Sequence, residues 1–126
     1  MNGKRIEIRI KRVYEKPDDA DGCRILVDRL WARGLSREKA KVDVWAKEIA
    51  PSTELRRWYG HDPDKWAEFK SRYATELETK PGQVEALLRN IQAGIVTFLY
   101  SSKEQQLNNA CALKEYLESV IYDQAD

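Results

Sequence analysis

The sequence predicts a single α/β domain, spanning residues 1–126, in which helices pack on a mainly parallel sheet. Three observations lead to this fold class. The length of 126 residues fits one hydrophobic core and leaves no room for a second. Residues 95–100 form a nearly continuous apolar run, which is typical of a central strand covered on both faces. Segments with helical spacing of apolar residues precede and follow that run.

The N-terminal third predicts two strands and an irregular basic segment. Arg5 to Lys11 alternates isoleucine with charged residues, which is the period of a half-exposed strand. Residues 16–22 are dense in turn formers and predict a loop. The β-branched content of 23–30 favours a second strand over a helix. Residues 31–40 are irregular, and alternation over 42–47 indicates a short third strand.

Three helices are predicted between this region and the central strand. The first opens at Pro51-Ser52 and stops at Gly60. The second begins at Asp62-Pro63, with proline at the first helical position. The third begins at Pro81 and is expected to end at Gly94 in a left-handed cap. A last helix follows the strand, with its apolar face formed by Ala110, Leu113, Leu117 and Ile121.

Composition limits the function classes. No apolar run approaches the ~20 residues of a membrane helix, and no signal peptide is recognisable, so a cytoplasmic protein without a membrane partner is expected. The two cysteines, Cys23 and Cys111, are too few for a disulfide framework and are expected to be reduced. A zinc site that combines them with His61 has no support in their spacing, so no metal is expected. His61, the only histidine, lies between two helices and is expected to be a turn residue.

The charge is distributed unevenly along the chain. A net charge of +1 argues against a dedicated nucleic-acid binder. However, residues 1–42 carry twelve Lys/Arg against seven Asp/Glu, whereas residues 43–126 carry ten against fourteen. The basic third could present a positive face to an anion. It could equally pair with acidic groups in the rest of the chain.

The end of the 95–100 strand is the first candidate ligand site, because ligands of open α/β sheets bind where strand carboxyl ends meet helix amino ends. The polar residues there are Tyr100, Ser101, Ser102, Lys103, Asn108 and Asn109. Free amides, hydroxyls and a lysine at a helix start suit a phosphate or carboxylate. Alternatively, the serines only shape the turn and Asn108 caps the helix.

The basic segment after the second predicted strand is the other candidate. Arg29 and Arg33 supply planar guanidinium groups for an oxyanion, and Asp28 could orient one of them. Gly34 would allow the backbone to approach a ligand closely. Alternatively, Asp28 pairs with an arginine that stacks on Trp31, and the segment binds nothing.

Several short motifs are more specific than the order of elements. They are Arg12-Val13-Tyr14, Asp21-Gly22, Leu26 to Gly34, Ala50-Pro51-Ser52 with Glu54-Leu55-Arg56, Phe69 to Leu77 with Tyr73 and Glu76, and Leu99-Tyr100-Ser101 with Asn108 and Ala110. Together they resemble the YeaO-like family of uncharacterised bacterial proteins over nearly the whole chain. The resemblance implies a compact intracellular α/β domain and no known substrate. Where members of that family often have Asn-His-Ala, this chain has Asn108-Asn109-Ala110, so if the family uses that histidine as a base, this protein does not.

Three functions remain open from the sequence. The favoured hypothesis is that the protein binds or processes a small anionic ligand, such as a nucleotide, a sugar phosphate or a carboxylate. The expected ligand-binding residues are Arg12, Tyr14, Arg29, Arg33, Tyr100, Ser101, Lys103 and Asn108, and the candidates for an acid or base are Asp28 and Glu76. This hypothesis requires one pocket on which Arg12, Asp28, Arg33, Tyr100 and Asn108 converge. No Walker A, GxGxxG, HExxH or GxSxG motif is present, so the cofactor is unknown and enzymatic activity is left open.

The two alternatives use aromatic residues. A nucleic-acid-binding or regulatory module would stack bases on Tyr14, Trp31 or Trp45 beside the basic N-terminal third. An interaction domain without a ligand would use an aromatic surface patch, which the four tryptophans could form.

Overall fold

Four parallel strands form the centre of the fold in a computed structural model, which describes residues 6–124. They are β1 (Ile8–Arg12), β2 (Cys23–Leu26), β3 (Val44–Trp45) and β4 (Val96–Tyr100), and their order in the sheet is β1-β4-β2-β3. The predicted α/β fold with a parallel sheet is confirmed. All five residues of β4 are buried, and β4 pairs with β1 on one side and β2 on the other, as its apolar run predicts.

Helices connect and cover these strands. Within residues 6–124 they are α1 (Arg37–Ala40), α2 (Thr53–Tyr59), α3 (Trp66–Glu78), α4 (Pro81–Ala93) and α5 (Asn109–Gln124). Short 3-10 turns occur at Asp19–Asp21, Lys47–Ile49 and Pro63–Lys65. The four predicted helices correspond to α2 to α5. None of the described helices is long and apolar enough to span a lipid bilayer.

Four predicted details differ from the structure or fall outside it. Residues 31–40, predicted to be irregular, contain α1 (Arg37–Ala40), whose start is capped by Ser36. The strand predicted from Arg5 begins at Ile8, and Arg5 lies outside the described residues. Strand β2 ends at Leu26 instead of reaching Leu30, because the chain turns away from the sheet there. Gly94 ends α4 as predicted, but its backbone is close to extended (φ 159°) rather than left-handed.

The core lies mainly between the sheet and helices α2 to α5. Its aromatic row consists of Tyr59, Phe69 and Tyr73, with ring centroids of successive residues 4.4 and 5.9 Å apart. Leu26 and Leu99 point into a smaller cluster, which is formed by the segment that contains α1. The sheet is therefore covered on both faces, and its carboxyl edge is left open.

A buried ion group holds the loop between β1 and β2. Asp21 accepts hydrogen bonds from Lys11 Nζ at 3.1 Å and from Arg24 Nη1 at 2.5 Å. Arg24 also donates to the carbonyl oxygens of Ala40 and Lys41. This group lies at the amino edge of the sheet, and each nitrogen of the Arg24 guanidinium has an acceptor within it.

Candidate functional site

A cleft of about 1000 Å³ opens at the carboxyl edge of the sheet. Its walls come from the residues that follow β1, β2 and β4 and from α2. The predicted site residues that line it are Arg12, Tyr14, Asp28, Arg29, Arg33, Ser101, Lys103 and Asn108. Two predicted residues do not line it: Tyr100 is buried within β4, and Glu76 lies on α3. The strand-edge reasoning therefore brings together eight of the ten residues named from the sequence.

Helix α2 contributes lining residues that were not among the site residues expected from the sequence. They are Thr53, Arg56 and Arg57. Two adjacent arginines on an exposed helix are ordinarily a solvated surface, so nothing in their spacing indicated a site. The available signal was that α2 starts directly after Ala50-Pro51, near the edge where the strands end.

The cleft is strongly cationic. Its lining includes the side chains of Arg12, Arg29, Arg33, Arg56, Arg57 and Lys103, and a single carboxylate, that of Asp28. Within residues 6–124, none of these six cations forms an ion pair with a carboxylate. A cleft lined by one sign of charge concentrates oppositely charged solutes.

Backbone carbonyl groups fix Arg12 in the cleft. Its Nε donates to the carbonyl oxygen of Ser102 at 2.9 Å, and its Nη2 donates to that of Ser101 at 3.1 Å. The guanidinium carbon lies 4.7 Å from the centroid of the Tyr14 ring, and the Tyr14 hydroxyl donates to the carbonyl oxygen of Arg33 at 2.8 Å. Neutral acceptors thus hold Arg12 in place and leave its positive charge uncompensated.

Arg29 has fewer partners than Arg12. Its Nη2 donates to the carbonyl oxygen of Ala50 at 3.4 Å, which is a long hydrogen bond. Its Nε is buried and has no hydrogen-bond partner among the described residues. A buried donor without an acceptor costs about 1–3 kcal/mol. The Nε group is therefore a position where an acceptor oxygen would be stabilising.

Asp28 binds neither Arg29 nor Arg33, in contrast to both alternatives raised by the sequence. Its Oδ2 accepts from the amide and the hydroxyl of Ser101 at 2.9 and 2.7 Å, and its Oδ1 accepts from Asn109 Nδ2 at 3.1 Å. Both carboxylate oxygens are thus engaged in joining the end of β2 to β4 and α5. The expected stacking on Trp31 also differs, since the guanidinium nearest to that ring is the one on Arg37.

The polar residues between β4 and α5 bond mainly to one another. Asn108 Oδ1 accepts from the Cys111 amide at 3.0 Å, so Asn108 caps α5. The Glu104 carboxylate accepts from the amides of Leu107 and Gln106, and these hydrogen bonds hold the pKa of Glu104 below its usual value. The capping alternative therefore describes this junction, and the groups available to an anion are the cationic side chains.

His61 and Glu76 have different relations to the cleft. His61 is a turn residue with left-handed backbone (φ 57°), as expected from its position, and it borders the cleft. Glu76 accepts from the amide and hydroxyl of Ser52 at 2.8 and 2.6 Å, which fixes the start of α2 to α3. Within residues 6–124, no three His, Cys, Asp or Glu side chains are grouped to hold a metal.

Other side chains pack against the four tryptophan rings. Trp31 and Trp45 pack edge-on at 5.4 Å, and their indole N–H groups donate to the carbonyl oxygens of Leu35 and Asp28. A Lys or Arg side chain lies over each of the four tryptophan rings. Of the three aromatic residues considered for base stacking, only Tyr14 is exposed, at 40%.

Comparison with known proteins identifies relatives over most of the chain. Residues 7–126 match the family model described as the inactive DUF488-N3 subclade. The uncharacterized protein Rv3073c of Mycobacterium tuberculosis is 39% identical over 111 residues, which cover 87% of this chain and 92% of that protein. The uncharacterized protein YeaO of Escherichia coli K12 is 38% identical over 115 residues, which cover 91% of this chain and 100% of that protein. No solved structure gives a significant match.

Proposed function

The chain belongs to the YeaO-like family and matches the inactive DUF488-N3 subclade, and we propose that it binds a small anionic ligand in the cleft without converting it. The ligand classes that suit the site are nucleotides, sugar phosphates and small carboxylates. Each presents oxyanions that guanidinium groups bind through paired hydrogen bonds.

The excess of cations in the cleft is the observation that carries this proposal. Six Arg or Lys side chains line it against one carboxylate, in a protein whose net charge is only +1. Such a local concentration of uncompensated charge is costly for the fold through self-repulsion. An anion bound in the cleft would offset that repulsion.

Binding is favoured over catalysis because the cleft offers no free acid or base among its carboxylates. The carboxylate of Asp28 is already engaged by Ser101 and Asn109. Asn109 stands where the YeaO-like family usually has histidine, and an amide does not take up a proton near neutral pH. The description of the matching subclade as inactive supports the same conclusion.

A thermal-shift screen of the purified protein tests this function. The panel comprises nucleotides, sugar phosphates, small carboxylates and a short oligonucleotide, and it is repeated with Arg33→Ala. A ligand at about a hundred times its dissociation constant adds ~2.7 kcal/mol of stability, which is several degrees for a domain of this size. We expect a small anion to raise the melting temperature and Arg33→Ala to reduce that increase.

The matched control is Arg89→Ala, because Arg89 is an exposed arginine on α4, paired with Glu85 and outside the cleft. It should respond to the anion as the original protein does. If no small anion raises the melting temperature, the proposal is wrong. A shift with the oligonucleotide alone, lost on adding salt, would instead identify a nucleic-acid-binding protein.

A further inference from the structure

We infer that the ligand carries two separate anionic groups, one bound at Arg12 and the other at Arg29. This inference rests on the proposed function and specifies its ligand class. The groups are phosphates or carboxylates at two ends of one small molecule.

The sheet topology separates the two arginines. Arg12 ends β1, and Arg29 follows β2, and these two strands flank β4. Neighbouring strands lie ~4.8 Å apart, so the strand ends that lead to the two arginines are roughly 10 Å apart. The two side chains therefore enter the cleft from opposite sides of β4. A charge-assisted hydrogen bond to an oxyanion spans only about 2.7–2.9 Å.

The two guanidinium groups are also anchored on different backbone segments. Arg12 donates to the carbonyl oxygens of Ser101 and Ser102, directly after β4. Arg29 donates to the carbonyl oxygen of Ala50, between β3 and α2. Each guanidinium group is therefore held by its own backbone segment. Both nevertheless line the same cleft, so one molecule can contact both.

Arg29 provides the independent sign of a second anion position. Its buried Nε lacks an acceptor among the described residues, and such groups are rare enough in folded proteins to require an explanation. The Arg12 Nε, by contrast, already has carbonyl acceptors. An oxyanion at Arg29 would supply the missing acceptor, and an oxyanion at Arg12 alone would leave it unsatisfied.

The charge in the cleft fits a ligand of this kind. Six cations and one carboxylate leave five positive charges in excess. A phosphate monoester brings about −1.5 to −2 at neutral pH. Two phosphates neutralise most of the excess, whereas one leaves more than half of it.

Calorimetric titration with matched pairs of ligands tests the inference. The pairs are adenosine 5′-phosphate with adenosine 3′,5′-bisphosphate, fructose 6-phosphate with fructose 1,6-bisphosphate, and valerate with adipate. In at least one pair, we expect the compound with two anionic groups to bind at least about tenfold more tightly, from the added charge-assisted hydrogen bonds. The pair that shows this preference also tells phosphate from carboxylate.

Two variants of Arg29 test whether the second anionic group binds at a defined position or is only attracted by the overall positive charge of the cleft. Arg29→Met should reduce the preference for the doubly charged compound to within about twofold. Arg29→Lys keeps the charge but not the planar fork, so it should lose most of the preference as well. Arg89→Met should leave the preference unchanged. Without ligand, Arg29→Met should melt no earlier than the original protein, since it removes a buried unpaired donor.

The outcomes distinguish this inference from the function on which it rests. If single anions bind and the paired compounds bind no more tightly, the inference is wrong while the proposed function stands. A preference that survives in Arg29→Met or Arg29→Lys would also overturn it, because the second group would then lie elsewhere. If no anion in any pair binds, both the inference and the proposed function fail.

Discussion

Asp21 and Asp28 show how the environment of a single residue decides its role. Both carboxylates accept several hydrogen bonds, but Asp21 is buried beside two cations at the amino edge of the sheet. Burial acts to raise the pKa of Asp21, while the Asp18 amide, Lys11 and Arg24 together outweigh it and hold that pKa below its usual value. Asp21 is therefore a structural anion, distinct from the charges of the cleft.

Replacing Asp21 should destabilise the protein in a pH-dependent way. Because its pKa is lower in the folded chain, the ionised carboxylate stabilises the fold fully above about pH 4, and the contribution is lost as the pH falls through the folded pKa. We expect Asp21→Asn to lower the free energy of unfolding by about 3 kcal/mol at neutral pH and to weaken its acid dependence. Urea unfolding between about pH 2 and about pH 7 measures both effects.

The control for Asp21 is Glu85→Gln, which removes an exposed ion pair with Arg89. It should change stability by less than about 1 kcal/mol. Equal effects of the two substitutions would show that the buried group contributes no more than a surface pair.

Individual contacts were harder to predict than the residues that make them. Arg29 and Arg33 were identified because they belong to the basic segment at the end of the second predicted strand, and Arg12 because it belongs to the Arg12-Val13-Tyr14 motif of the family resemblance. The hydrogen-bond partners of Asp28 were not predicted, because Ser101 and Asn109 are 73 and 81 positions away along the chain. Only the packing of β4 and α5 beside β2 brings these groups together.

At the scale of elements, the long periodic segments and β4 were predicted from sequence, β3 was indicated by the alternation over 42–47, and α1 was not predicted. The buried run of β4 and the periodic faces of α3 to α5 extend over enough residues to show their pattern. Helix α1 has only four residues, about one helical turn, so it shows no repeated apolar face. Tertiary contacts, such as the packing of Ala40 against Leu26 and Leu99, hold α1 instead.

The entry into β2 depends on a glycine. Gly22 has φ 65°, and a Cβ atom there would overlap the carbonyl oxygen of Ile95 before β4. Gly34 also has positive φ, 83°, but no atom lies within 4 Å of its Cβ position. Both positions therefore require a residue that tolerates positive φ, and only at Gly22 is there also no space for a side chain.

Alanine substitutions at these two glycines should separate the two effects. Gly34→Ala should cost about 1–2 kcal/mol from the left-handed backbone alone. Gly22→Ala should cost more, because the sheet must also shift at Ile95. Chemical denaturation of both variants measures the difference, and equal losses would mean that β2 enters the sheet without the close contact.

For the whole molecule, the net charge is near zero although the cleft carries a local excess of positive charge. Every ion pair among residues 6–124 joins two residues of the basic first third or two of the remainder, so the two parts do not neutralise each other through ion pairs. The sequence left this question open, because pairing depends on how the chain folds. The cationic cleft draws on both parts, with Arg56 and Arg57 supplied by the acidic remainder.

The central claim is that a small anion binds at the carboxyl edge of the sheet, and an NMR titration tests it most directly. Amide signals of ¹⁵N-labelled protein are followed while each anion of the panel is added. We expect saturable shifts for Arg29, Ala50, Ser101 and Ser102, the backbone around the cleft, and none for Arg89 on α4. Unchanged spectra throughout the panel, or shifts confined to other surfaces, would contradict the account.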